Sequence, residues 1–319
     1  MNQCYPDTFI ALDFSKLIWK ICDTYVNIVV CIIGFDYIEF TLIIKEKPVV
    51  LFNRRKHAFT LIELLVVISI IALLMSVLMP TLNQVKKQAK SVMCQSRLRE
   101  WGMLFKLYTD DYQGNFNPGW DIADGSALWM NTLRPYYKDN WDMLLCPTAE
   151  RLMLNASDWG TFKAASREIP TPGGGSHNYV FSYSINSWTN NMRADRGDRP
   201  VEWFWKNVNK TKRPDQVPVF ADSTWHDAWP LDTDSPPATM DAFGIGDQGT
   251  TGEMDHFCID RHDGFINAMF MDWSARHVGL KELWTLKWHR NFNTAGVWTK
   301  AGGAMDEDWP PWMRHFKAY

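Results

Sequence analysis

The residue types able to do chemistry gather in the last third of the chain. Asp222, His226, Asp227, Asp255, His256, Asp260, His262 and Asp263 supply the carboxylates and imidazoles that ligate metals or move protons. Spacing is what turns such a set into a site. No HExxH helix, paired CxxC or nucleophile elbow organises these residues, so the chain reads as non-catalytic. Asp232-Thr233-Asp234, with Asp241 and Asp247, could offer oxygens to calcium, the one cofactor the sequence suggests at all. The sixth-position Gly and terminal Glu of an EF-hand loop are missing, which favours a solvated acidic loop. Aromatic rings are the other resource: 16 of the 17 Trp lie from Trp101 onward. Flat rings stack on sugars, so exposure of Trp203/Trp205, Trp225/Trp229 and Trp309/Trp312 would mark a polysaccharide-binding face. Burial would make them core.

These groups need elements to hold them, and the most informative element lies upstream. Phe59 to Met79 is an apolar run of 21 residues, which as a helix covers roughly 30 Å, the thickness of a bilayer's hydrocarbon core. The run is longer than a signal-peptide core and no small-residue cleavage site follows it. Arg54-Arg55-Lys56-His57 before it favour a cytoplasmic location for that end, although Lys86, Lys87 and Lys90 follow on the other side. Elsewhere the 319 residues are ordinary globular sequence, with 33 Lys and Arg against 36 Asp and Glu. That balance gives no polyanion-binding surface, and nucleic acid is not an expected partner. One carboxylate breaks the apolar run, Glu63. An acidic group there costs about 3 kcal/mol at the helix centre and less near its end, so it either reaches the interface or needs a partner.

Lys56-His57-Ala58-Phe59-Thr60-Leu61-Ile62-Glu63-Leu64-Leu65-Val66-Val67-Ile68 resembles the processing and methylation motif of type IV pilins and type II secretion pseudopilins. In that family a prepilin peptidase cuts before the apolar run on the cytoplasmic side and methylates the new N-terminus. The resemblance implies cleavage between Ala58 and Phe59, with Glu63 and Pro80 at family positions for assembly. It also gives Glu63 a partner, the positive N-terminus of a neighbouring subunit. Ala58 departs from the family's Gly before the cut but keeps a small residue. Residues 1–58 then form a leader, of which 1–50 are more than a leader needs and read as upstream translation or as a real extension.

Beyond Met79 an amphipathic pattern continues through Leu82, Val85, Ala89, Val92, Leu98, Trp101, Phe105, Tyr108 and Tyr112, until Asp110 to Asn115 end it. Residues 59–112 are therefore expected as one helix, its first half transmembrane and its second half under a head formed by 113–319. Pro80 should kink it. In the head, Tyr179–Ser184, Val217–Ala221, and Phe265–Met271 followed by Ala275–Leu280 read as strands, the last two as a hairpin. The expected fold is α+β: a long helix on a small antiparallel sheet with large loops.

A second resemblance runs along the head. Cys94-Gln95-Ser96-Arg97-Leu98-Arg99, Leu145-Cys146-Pro147, Tyr183-Ser184-Ile185-Asn186 and Phe220-Ala221-Asp222-Ser223 look like motifs of pseudopilin-like proteins with the H-X9-DG region. The signature appears as His262, nine residues, then Asp272-Trp273, with Trp273 replacing Gly. Two readings of it stay open. In one, Asp272 caps a turn and His262 hydrogen-bonds within the head, and no metal is bound. In the other, both bind metal with Asp222. Trp273 resists positive φ, so a longer turn or another type is expected. If cleavage occurs as implied, Cys94, Cys146 and Cys258 remain, and a Cys94–Cys146 disulfide with Cys258 free and buried is the favoured pairing. Together these features imply a single-pass, bacterial inner-membrane pseudopilin-like subunit with an extracytoplasmic head. Its partners would be prepilin peptidase, other pilin subunits and the membrane. The alternative from another class is a membrane-anchored, glycan-binding surface protein.

Overall fold

A computed structural model describes residues 61–149, 160–240 and 252–319. Two units divide the chain, Met1–Leu61 and Ile62–Tyr319, and the second holds the long helix, the sheets and the core. Helix α1 spans Leu61–Asp111 with Pro80 inside it. It stops where expected: Gln113 and Gly114 take φ of 58° and 82°, and a left-handed pair cannot continue a right-handed helix.

The two halves of α1 meet different surroundings. From Leu64 the helix is long and apolar enough to cross a membrane by length and composition, and Leu65, Ile68, Leu73, Leu74, Val77 and Leu78 are all exposed. Burial against the head starts only at Ser91 and then follows helical spacing through Cys94, Leu98, Trp101, Phe105 and Tyr108. The amphipathic pattern therefore begins later than the sequence suggests, since Leu82, Val85 and Val92 are exposed, as is Tyr112 at the far end. Trp101 centres the contact: its ring lies 5.1 Å from Phe220, 5.3 Å from Trp129 and 5.5 Å from Tyr137. Its indole N–H, which burial would otherwise leave unpaired, donates to Met143 O at 2.7 Å.

The strands are β1 (Ala165–Pro170), β2 (Ser176–Phe181), β3 (Tyr183–Asn186), β4 (Pro218–Asp222), β5 (Asp227–Ala228), β6 (Phe265–Phe270) and β7 (Ala275–Gly279). β1 and β2 make a separate antiparallel hairpin, and the others form one sheet in the order β5-β3-β4-β6-β7. This sheet is mixed rather than wholly antiparallel, because β5 joins β3 in parallel through Ile185↔Asp227 and Asn186↔Ala228. β1 has no strong sequence pattern, and one expected strand is divided at Ser182 into β2 and β3, which belong to different sheets. Register places Tyr183 opposite Asp222 and Met269 opposite Ala275. Phe220 and Asp222 are two residues apart on β4, so both face α1, one meeting Trp101 and the other Cys94.

The β6–β7 turn is longer than a two-residue Asp-Gly turn, as expected, but it corrects the expectation that Trp273 avoids positive φ. Trp273 does take positive φ, at 68°. Phe270 N donates to Ser274 O at 2.8 Å and Trp273 N to Phe270 O at 2.9 Å, the pattern of a three-residue loop whose last position is left-handed. Packing holds the Trp there. Its ring rests half-buried on the core beside Phe116, and its carbonyl approaches α1 so closely that a Cβ on Gly102 would lie 3.0 Å from it.

Each Trp pair proposed as a sugar-stacking face has one buried and one half-buried member. Trp205, Trp229 and Trp309 are buried, while Trp203, Trp225 and Trp312 are half-buried. Trp203 stacks on His289 at 4.7 Å, and Trp309 packs edge-on against Trp284 at 5.3 Å.

Candidate functional site

A polar cluster sits where α1, the loop before Pro147, the end of β4 and the loop before β6 meet. Cys94 comes from α1, one face and two turns from Trp101, and Cys146 from the Leu145-Cys146-Pro147 segment. Ser182 pins that segment, its hydroxyl accepting from Cys146 N at 2.6 Å and its own N–H donating to Leu144 O at 2.9 Å. Asp222 ends β4. His262 is held by a tight turn in which its N–H donates to Phe265 O at 3.1 Å and Asp260 accepts from Gly264 N at 2.5 Å. All four side chains are buried.

Their donor atoms converge. Cys94 Sγ lies 3.4 Å from Asp222 Oδ2, Cys146 Sγ 3.5 Å from His262 Nε2, and His262 Nε2 3.1 Å from Asp222 Oδ2. One ligand atom from each of the four lies within 4.8 Å of every other. Tyr183 donates its hydroxyl to Cys94 Sγ at 3.3 Å, and Asn267 N donates to Asp222 Oδ2 at 2.9 Å. Arg261 closes the far side, giving N–H bonds to Thr161 O at 2.7 Å, Ser182 O at 2.6 Å, Ser223 O at 3.0 Å and Asp222 Oδ1 at 3.3 Å.

The electrostatics follow from this enclosure. Burial alone would raise Asp222, but His262, Arg261 and the Asn267 amide outweigh it and hold the carboxylate well below its usual range. Burial alone would likewise lower His262, and Asp222 instead raises it to about 10. Of the two thiols, Cys94 is pushed up by burial. Cys146 is opposed by burial too, yet contacts with Cys94, His262 and Arg261 make it the more acidic, at about 6.

Several sequence expectations meet here and others do not. The Cys94–Cys146 bridge is not formed. Both thiols are free, and each sulfur contacts a third group, Asp222 and Tyr183 at one and His262 at the other. Cys258 is also free and buried, 3.8 Å from Met313 Sδ. His262 hydrogen-bonds within the head and joins Asp222, but Asp272 is exposed in the β6–β7 turn, where it accepts from Ser274 N at 3.0 Å. His226 and Asp227 make a separate buried pair at 2.9 Å. Asp234 caps two backbone amides, Leu231 N at 2.9 Å and Met254 N at 3.0 Å, while Asp241 and Asp247 lie outside the described residues. Sequence reasoning missed the cysteines as partners of His262 and Asp222. Their only signal was the shared resemblance of the segments that carry them.

Ala58 and Phe59 lie outside the described residues, and Glu63 is within α1 with its side chain outside them. Comparison with known proteins bears on this end of the chain. Residues 53–79 match the prokaryotic N-terminal methylation motif. The match carries a type IV pilin-type prepilin signal directly into the apolar start of α1. No curated protein and no solved structure matches the chain.

Proposed function

We propose that the chain is a non-catalytic pseudopilin-like subunit, cut between Ala58 and Phe59 by a prepilin peptidase, N-methylated, and assembled through α1 into a type IV pilus-like filament or secretion pseudopilus. Residues 1–58 are its leader, the start of α1 its single inner-membrane anchor, and the H-X9-DG-type head lies outside the cytoplasm. One observation carries the reading. The methylation motif at 53–79 opens a helix whose apolar first half is exposed, whereas its second half is the spine of the head. An exposed apolar stretch that long needs lipid or a bundle of like helices, and a subunit that moves from membrane to filament uses both.

Glu63 decides between a plain anchor and an assembling one. A carboxylate in an apolar run is tolerated at lower cost when a positive N-terminus pairs with it. Glu63→Ala should leave membrane insertion intact and reduce cross-linked multimers in cells expressing the cognate machinery. Wild-type multimer levels in that variant would refute the assembly role. N-terminal sequencing that found an intact leader would refute the processing pathway.

A further inference from the structure

We infer that Cys94, Cys146, His262 and Asp222 form a structural site for a thiophilic divalent cation of the zinc class, which clamps α1 to the head. The donor set is the first reason. Two thiols, an imidazole and a carboxylate suit a soft-to-borderline ion that prefers four tetrahedral ligands, whereas magnesium or calcium would require an oxygen shell that the described residues of this cluster do not supply.

The geometry is the second. Bond lengths of about 2.3 Å to sulfur and about 2.0 Å to nitrogen or oxygen, at tetrahedral angles, place ligand atoms roughly 3.3–3.8 Å apart. The observed separations are 3.4 Å for Cys94 Sγ to Asp222 Oδ2, 3.5 Å for Cys146 Sγ to His262 Nε2 and 3.1 Å for His262 Nε2 to Asp222 Oδ2. Each of these is also a hydrogen-bond length, and what singles the cluster out is that one ligand atom from each of four buried side chains lies within 4.8 Å of every other. An ion would need only small shifts of the side chains.

Charge is the third. On binding, the thiols and the His262 imidazolium give up their protons to solvent, so that the sulfurs bind as thiolates and the imidazole binds neutral. Two thiolates and one carboxylate then face a doubly positive ion and the Arg261 guanidinium, and the buried charges sum to zero. Groups outside the ligands are already placed to orient them: Tyr183 O–H on Cys94 Sγ, and Arg261 and Asn267 N on Asp222. A cleft of about 620 Å³ lined by Ser91, Thr148, Arg261 and His262 borders the cluster on its His262 side. With all four positions filled by protein, no open position is left for substrate, which makes the site structural. It joins four segments far apart in sequence, and it uses the two cysteines that a disulfide would otherwise consume.

The test uses the whole protein, purified in detergent under reducing, oxygen-free conditions and titrated with Zn2+ and with Co2+. The expected result is one ion per chain. Co2+ should give thiolate charge-transfer absorption and the intense visible bands of a tetrahedral site. Cys146→Ser should abolish the charge-transfer signature or sharply weaken it. Tyr183→Phe, which keeps the buried ring, should weaken binding by about 10–100-fold. Tryptophan fluorescence reports whether each variant is folded, and the wild-type titration stands whatever the variants do. The inference is overturned if wild type binds no ion, if its Co2+ spectrum lacks thiolate charge transfer, or if protein isolated from cells without added oxidant contains a Cys94–Cys146 disulfide.

Discussion

Replacing Arg261 with Met should be among the most destabilising single changes in the head. The guanidinium is fully buried and is the hub of four contacts, to Thr161 O, Ser182 O, Ser223 O and Asp222 Oδ1. Met fills similar volume but donates nothing. The Asp222 carboxylate loses a positive neighbour without gaining water, and breaking one side of a buried ion pair costs about 3–5 kcal/mol. Loss of the charge-assisted bonds to the carbonyls adds to that, partly offset because Ser182 O keeps a second donor in Ser223 N at 2.9 Å. Domains are stable by about 5–15 kcal/mol, so Arg261→Met should remove a large part of the margin. Arg261→Lys should fall between the two, since a single ammonium cannot reach four acceptors arranged around a planar fork. Urea unfolding of the detergent-solubilised protein, followed by tryptophan fluorescence, measures the difference. A loss below about 1 kcal/mol for Arg261→Met would mean that Asp222 is hydrated, and the enclosed cluster described above would be wrong.

Two further outcomes test other parts of the structure. At the β6–β7 turn, Trp273→Ala keeps the left-handed backbone and loses the ring, whereas Trp273→Gly loses the ring and the backbone strain together. The Gly variant should therefore be more stable than the Ala variant by about 1 kcal/mol, and the reverse order in thermal melts would refute the turn geometry. His289 is buried against Trp203 and Trp188, with Nδ1 accepting from Asn291 N at 3.2 Å. Burial, then Lys287, lowers it from an ordinary 6.5 to about 3. Its folded pKa lies below its unfolded one, so its contribution is intact above pH 6.5 and is lost as the pH falls toward 3. Between pH 6 and pH 4 the stability of wild type should drop faster than that of His289→Phe, by up to about 1.4 kcal/mol per pH unit. Parallel curves would show that the imidazole is solvated.

The apolar start of α1 was legible without coordinates. Its signals are local: 21 apolar residues set a length, and Glu63 stands out because nothing beside it in sequence can pair with it. A cleavage motif is likewise read by an enzyme as contiguous chain. The end of α1 and the β6–β7 hairpin were legible for the same reason, as turn chemistry acts over a few residues. Tertiary structure decided everything that depends on distant residues meeting. Trp273 accepts a backbone conformation that its side chain disfavours because Phe116 and Gly102, more than 150 residues earlier, hold it. β5 is two residues long and has no pattern of its own, so only β3 makes it a strand. Above all, Cys94, Cys146, Asp222 and His262 span most of the head in sequence and carry no spacing rule. A ligand set spread over a helix, two loops and a strand has no spacing to read, because the fold rather than the backbone between its members sets the distances.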